Sequence, residues 1–215
     1  MSEVPQWQAW HDAYADPSSS LSRRLVVVRS LLAGLLEEGE EPVRLLSLCA
    51  GDGRDTIPVL ARSGRHVDAC LVELDPDLAN GARQAAADAG VDLEVRTGDA
   101  GEVATFEDRL PVDLLMLCGV FGNVSDEDVV RTVAAARLMV ATGGAVIWTR
   151  GHRVPDESTD RGADPVDWVR GRFEAVGFVE IAFVRPENAT FRVGVEHQKK
   201  VVEQELPQQL FSFVR

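Results

Sequence analysis

The stretch Leu48-Cys49-Ala50-Gly51-Asp52-Gly53-Arg54-Asp55 closes a short apolar run, Val43 to Cys49, and leads into Thr56 to Ser63, a helical pattern stopped by Gly64. A buried strand, a glycine-bearing turn and a helix start in direct succession predict the first crossover of a parallel sheet. Gly51 and Gly53 let the backbone come close to a ligand, and the N–H groups that open the following helix can receive an anion or a polar group.

Working outward, the alternation continues. Upstream, Leu21, Leu25, Val28, Leu32, Leu35 and Leu36 recur at helical spacing from Ser20 to Glu38, after Asp16-Pro17 and before Gly39. Downstream the pattern predicts strand Val67 to Glu73, helix Pro76 to Asp88, strands Leu93 to Thr97 and Val112 to Cys118, helix Asp126 to Val140 and strand Ala145 to Arg150. Strands alternating with helices imply parallel pairing with helices on both faces, a doubly wound α/β fold. After helix Pro165 to Val176 and strand Phe178 to Val184 come two β-like pieces, Phe191 to Val195 and Leu210 to Val214. Either one can complete the sheet as an antiparallel strand of a terminal hairpin. Gly151 to Asp164 has no periodicity, and loops of that length in compact domains are often functional.

The 215 residues suit one domain, and 45% hydrophobic content supports a sizeable core without crosslinks. The expected division is an N-terminal helical lid segment over 1–40 and one cofactor-binding domain over 41–215. Asp and Glu outnumber Lys and Arg by 35 to 22, giving a net charge of -13 spread along the chain. Such a surface repels phosphate backbones and anionic lipid, so neither nucleic acid nor a membrane is an expected partner. Cys49, Cys70 and Cys118 lack CxxC spacing, which suggests no metal site and no disulfide framework and fits a reducing cytoplasm. The first residues lack a signal-peptide pattern, and no run approaches the roughly 18 apolar residues of a membrane span. A cytoplasmic, soluble protein is expected.

A GxGxxG-like turn alone suits NAD, FAD or S-adenosylmethionine, and Glu73 follows Gly53 at the spacing of a ribose ligand in all three. Thr56 stands where the dinucleotide pattern has its third glycine, and Asp52 and Asp55 would repel a pyrophosphate at close range. S-adenosylmethionine carries no phosphate, and its amine and sulfonium are cationic. The competing structural reading is a tight turn whose carboxylates cap the next helix.

With these features the chain resembles the class I, Rossmann-like S-adenosylmethionine-dependent methyltransferases, from about Val43 to Val184. The family's first motif corresponds to Cys49-Ala50-Gly51-Asp52-Gly53-Arg54-Asp55, with Cys49 where an acidic residue is usual and Asp55 where glycine is usual. Its second motif corresponds to Glu73-Leu74-Asp75-Pro76, in which Glu73 would accept the ribose hydroxyls and Asp75 would cap the helix begun by Pro76. Its third corresponds to Gly98-Asp99-Ala100, where the carboxylate takes the adenine amino group. The segment Cys118-Gly119-Val120-Phe121-Gly122-Asn123 matches the region beneath the transferred methyl, with Cys118 beside Cys49. The resemblance implies a seven-stranded sheet with a C-terminal antiparallel strand, S-adenosylmethionine as cofactor and a small-molecule methyl acceptor as partner. It leaves room for a homodimer.

Methyl transfer from a sulfonium needs alignment, exclusion of water and, for an oxygen or nitrogen acceptor, a way to lose a proton. The candidates near the acceptor are His152 and Arg150 after the fifth strand, Asn123 after the fourth, and His11 and Tyr14 in the aromatic segment Trp7 to Tyr14. Asn123 reads equally as a turn-shaping residue, and Trp7, Trp10 and Tyr14 as one packed helical face. Two further function classes fit less of the sequence: a non-catalytic module that keeps the cofactor fold, and an NAD(P)-dependent oxidoreductase.

Overall fold

The structure, a computed structural model, describes residues 14, 16–38, 42–151, 165–187, 189–200 and 205–214. Helix α1 (Ser20–Glu38) precedes strand β1 (Val43–Leu48), helix α2 (Ile57–Ser63), strand β2 (Val67–Glu73), helix α3 (Pro76–Ala89) and strand β3 (Glu94–Thr97). Two short 3-10 turns, Val103–Thr105 and Glu107–Arg109, lead to strand β4 (Val112–Leu117), helix α4 (Asp126–Met139) and strand β5 (Val140–Gly151). Helix α5 (Pro165–Ala175) and the hairpin β6 (Phe178–Val184) and β7 (Phe191–Gln198) follow.

The strands form a seven-stranded sheet in the order β3-β2-β1-β4-β5-β7-β6. Pairing is parallel from β3 to β5, while β7 lies antiparallel to both β5 and β6. The mostly parallel sheet with a C-terminal antiparallel strand, expected from the sequence, is therefore present. Of the two β-like C-terminal pieces, Phe191–Gln198 completes the sheet. Leu210 to Val214 does not: Phe213 makes only an isolated bridge to Val124. Strand β5 also begins earlier than expected, at Val140, and its pairing with β4 shifts register between Val112 and Leu114.

The two-residue period of the strands sorts side chains into two cores. Leu46, Leu48, Cys70, Val72, Leu115, Leu117 and Trp148 face α4 and α5, with Leu210 and Phe211 in the same cluster. Leu45, Leu71, Leu114, Met116, Ile147 and Val193 face α1, α2 and α3 on the other side. Helix α1 belongs to this second core through Val28, Leu32 and Leu36, each no more than 2% exposed.

Local chemistry sets the helix ends. Asp75 caps α3 by accepting from the backbone N–H groups of Asp77 and Leu78, with Pro76 in the first turn and Gly90 left-handed at the C-cap. Ser125 caps α4 through the N–H of Asp128, and Asp126, Glu127 and Asp128 place negative charge in its first turn. Helices α2 and α3 thus start at the carboxyl ends of β1 and β2. The strand order reverses between the parallel neighbours β1 and β4, and in such sheets that point opens a crevice for a ligand.

Candidate functional site

The chain leaves β1 through a turn in which Cys49, Gly51 and Gly53 have φ of 58°, 59° and 71°. Left-handed backbone at every second residue favours glycine, so Cys49 occupies a glycine-like position and stores strain of about 1 to 2 kcal/mol. Ala50 N–H donates to Val72 O at 3.0 Å, tying the turn to β2, and Ile57 N–H reaches Gly53 O at 2.8 Å to open α2. A Cβ on Gly53 would lie 2.5 Å from Ile57 Cδ1 and 3.0 Å from Leu71 Cδ2. That glycine is required by packing beneath the turn.

Glu73, at the end of β2, is held by two backbone donors: Gly51 N–H to Oε2 at 2.7 Å and Asp75 N–H to Oε1 at 2.9 Å. A carboxylate offers about four acceptor positions, so both oxygens keep capacity for a ligand. Asp75 is committed to its helix cap. After β3, Asp99 Oδ1 accepts from Gly101 N–H at 2.7 Å, and Thr105 Oγ1 donates to Asp99 O at 2.9 Å. After β4, Gly119 N–H donates to Thr149 Oγ1 at 2.9 Å.

These four strand ends border a cavity of about 280 Å³. Its lining includes Cys49, Ala50, Gly51, Asp52, Asp55, Glu73, Leu74, Asp99, Ala100, Cys118 and Gly119, eleven of the twelve cofactor-binding residues expected from the sequence. Gly53, the twelfth, is not among the lining residues. Helix α1 supplies Arg24, Leu25 and Val28, which sequence reasoning did not single out; nor did it single out Arg54, Leu78 and Phe213. Helical spacing marked Leu25 and Val28 as apolar, but only the packing of α1 against β7, β5 and α2 brings Arg24 to the crevice.

Charge is concentrated at the mouth. Arg24 Nη2 donates to the Tyr14 hydroxyl at 2.7 Å, the Arg54 guanidinium lies 4.2 Å from the Tyr14 ring centroid, and Arg54 pairs with Asp52. Burial pushes the Asp55 carboxyl above its ordinary range, opposed by the hydrogen bond from Thr56 and by the nearby Arg24 charge. Burial likewise raises the Tyr14 phenol, which stays neutral. Burial also pushes the Cys49 and Cys118 thiols far up, with Glu73 and Asp99 adding to the effect at Cys49 and Asp55 at Cys118. Both cysteines are small protonated wall residues rather than nucleophiles.

The acceptor candidates separate. Tyr14 lines the cavity. Arg150 does not: its guanidinium pairs with Asp126 at 3.3 Å and lies 5.7 Å from the Trp168 ring centroid. Asn123 does not either, because its side-chain amide donates to Gly119 O at 2.7 Å and its carbonyl accepts from Val214 N–H at 2.9 Å. His11 and His152 lie outside the described residues, as do Trp7, Trp10 and most of Gly151 to Asp164. Among the described residues no group of His, Cys, Asp and Glu is placed to hold a metal, and no helix is long and apolar enough to cross a membrane.

Residues 45–144 match the family model described as a methyltransferase domain. Among solved structures, an O-methyltransferase family protein from Burkholderia thailandensis superposes with a TM-score of 0.69 at 17% identity, over 89% of this chain and 59% of that one. The PH0226 protein from Pyrococcus horikoshii OT3 gives 0.63 at 15% identity, over 92% and 100% of the two chains. Fibrillarin from Aeropyrum pernix, solved with natively bound S-adenosyl-L-methionine, gives 0.58 at 19% identity, over 78% and 74%. The chain thus spans only 59% of the length of the Burkholderia protein. No curated protein matches this chain in sequence.

Proposed function

We propose that this chain, which carries a methyltransferase domain over residues 45–144 on the fold of the class I, Rossmann-like methyltransferases, transfers a methyl group from S-adenosylmethionine to a small molecule. The observation that carries the reading is the Glu73 carboxylate, fixed by Gly51 and Asp75 N–H groups at the edge of a cavity over the ends of β1 to β4.

The lining chemistry fits that cofactor. The cavity is bordered by the carboxylates of Asp52, Asp55, Glu73, Asp75 and Asp99 against the guanidinium groups of Arg24 and Arg54. A pyrophosphate would be repelled there, whereas ribose hydroxyls, an adenine amino group and a cationic amine each find an acceptor. On this reading Glu73 binds the ribose, Asp99 and the Ala100 N–H read the adenine, and Leu74, Cys49, Ala50, Cys118 and Gly119 form close walls. Gly51 and Gly53 shape the turn that admits the ligand, and Asp52 and Asp55 lie toward its aminoacyl end.

Bound there, S-adenosylmethionine would supply a methyl on a sulfonium, a carbon already activated for displacement. The chain's own contribution is then mainly orientation and exclusion of water. Tyr14, held by Arg24 and covered by Arg54, closes one side of the cavity. His152 and His11 remain the candidates to accept a proton from an oxygen or nitrogen acceptor. The net charge of -13 disfavours nucleic acid as that acceptor, and a cytoplasmic site and a homodimer both fit the reading.

The test is a thermal-shift comparison followed by labelling. S-adenosylmethionine or S-adenosylhomocysteine is expected to raise the melting temperature, and labelled cofactor to mark a low-mass product from a metabolite extract. Stabilisation by NAD(P)H alone would reverse the assignment. Cofactor binding with no labelled product across broad extracts would favour a non-catalytic binding module.

A further inference from the structure

The C-terminal segment 205–214 is not part of the sheet, yet it is fastened across the carboxyl ends of β3 and β4. Val103 N–H donates to Gln208 O at 3.0 Å, Leu210 N–H to Gly101 O at 2.7 Å and Val214 N–H to Asn123 O at 2.9 Å. Thr132 Oγ1 reaches Leu210 O at 3.3 Å, and Ser212 N–H donates to Asp128 Oδ2 at 3.2 Å. Leu210 and Phe211 are fully buried. At Gly101 any Cβ would run into the Phe211 carbonyl oxygen, so the tail lies against the loop that carries Asp99 and Ala100.

Phe213 is the consequence. Its ring packs on Phe211 at a centroid distance of 5.5 Å and an interplanar angle of 69°, and it borders the cavity together with Asp99, Ala100 and Gly119. Among the described residues Tyr14 and Phe213 are the two aromatic residues of the lining, and they come from different sides. Tyr14 belongs with Arg24 and Arg54, whereas Phe213 packs against the core cluster that contains Ala100 and Phe121.

We propose that the C-terminal segment is part of the nucleoside site, with Phe213 as the apolar wall for the purine, so that an adenosyl ligand and the tail stabilise each other. This rests on the reading of Asp99 as the adenine ligand. The physical basis is that a purine presents a flat apolar face as well as polar edges. Asp99 and the Ala100 N–H address the edges, and within that loop no large side chain addresses the face. Segment 205–214 supplies one because Gly101 lets it approach.

Calorimetry of the full chain with S-adenosylhomocysteine and with 5′-deoxy-5′-methylthioadenosine tests this, since the two share the purine and ribose but not the aminoacyl end. Phe213→Ala is expected to lose tenfold or more in affinity for both ligands, and Phe213→Leu to lose less. Melting of the ligand-free variants should stay within a few degrees of the parent. If the parent binds and Phe213→Ala binds within twofold of it, the wall assignment is overturned while the cofactor assignment stands. If the parent binds neither ligand, the proposed function falls and this inference with it. Carboxypeptidase trimming of the unsubstituted chain gives a second readout that needs no variant. Saturating S-adenosylhomocysteine should slow loss of the terminal residues at least fivefold, and an unchanged rate would overturn the coupling.

Discussion

Trp148 Nε1 donates a hydrogen bond to Glu196 Oε1 at 3.2 Å inside the sheet, where Trp148 is fully buried and Glu196 is 2% exposed. Burial pushes the Glu196 carboxyl from 4.5 up to about 7; the Trp148 bond opposes the shift, the Glu180 charge adds to it and the Arg170 charge subtracts. Glu180 pairs with Glu196 across the strands, and Arg170 engages Glu180 at 2.6 and 2.8 Å.

That arrangement sets a pH dependence. The folded state binds this proton more tightly than the unfolded chain, so the stability it contributes is complete below about pH 4.5, declines as pH rises and is lost above about 7. Glu196→Gln should flatten the curve in this window, by on the order of 2 to 3 kcal/mol relative to the parent. Urea denaturation of both proteins between pH 4.5 and 8 would check it, and parallel curves would refute it.

Cys49 has a left-handed backbone, which a β-branched residue tolerates poorly. Cys49→Val should destabilise by about 1 to 3 kcal/mol, whereas Cys49→Gly should stay within about 1 kcal/mol, since relief of strain offsets lost packing. Chemical denaturation midpoints distinguish the two.

Glu73 carries two separable duties. Glu73→Ala should weaken S-adenosylhomocysteine binding by about 1.5 to 3 kcal/mol and also lower stability by about 1 kcal/mol, because Gly51 and Asp75 N–H groups lose their acceptor. Calorimetry reads the first effect and thermal melting the second. Unchanged affinity would move the ribose role to another carboxylate.

Gly194 faces Trp148 across the β5–β7 pair, and any Cβ there would overlap the indole ring. Gly194→Ala should therefore cost about 1 to 3 kcal/mol or more through overpacking. A melting temperature equal to the parent's would contradict it.

Asn123 is expected to act on stability alone. Asn123→Ala removes the bond to Gly119 O and should cost about 1 kcal/mol while leaving the KM of an identified acceptor within twofold. A large rise in KM would return Asn123 to the acceptor side.

Much of the fold was legible because burial period and end signals act over short stretches. Val67–Glu73 and Phe178–Val184 are bounded where alternation and flanking turns predicted, and Pro76 with Asp75 fixes the start of α3. The split between Glu73 and Asp75 was legible too, as far as the cap is concerned: a residue just before a helix-starting proline is placed to bond the first N–H groups. The roles of Arg150 and Asn123 were not legible. Asp126 and Trp168 engage Arg150 from 24 and 18 residues away in the chain, and Val214 engages Asn123 from the far C-terminus.

The sequence by itself determined the doubly wound order and the place of the turn from Leu48 to Asp55, because strand period, helix caps and glycine positions are local properties. Only the tertiary structure decided that Cys49 stands in a glycine's conformation, that Phe191–Gln198 rather than Leu210 to Val214 enters the sheet, and that Arg24, Arg54 and Phe213 border the cavity. Each of these depends on which distant segments pack against the strand ends, and no short-range pattern encodes that choice.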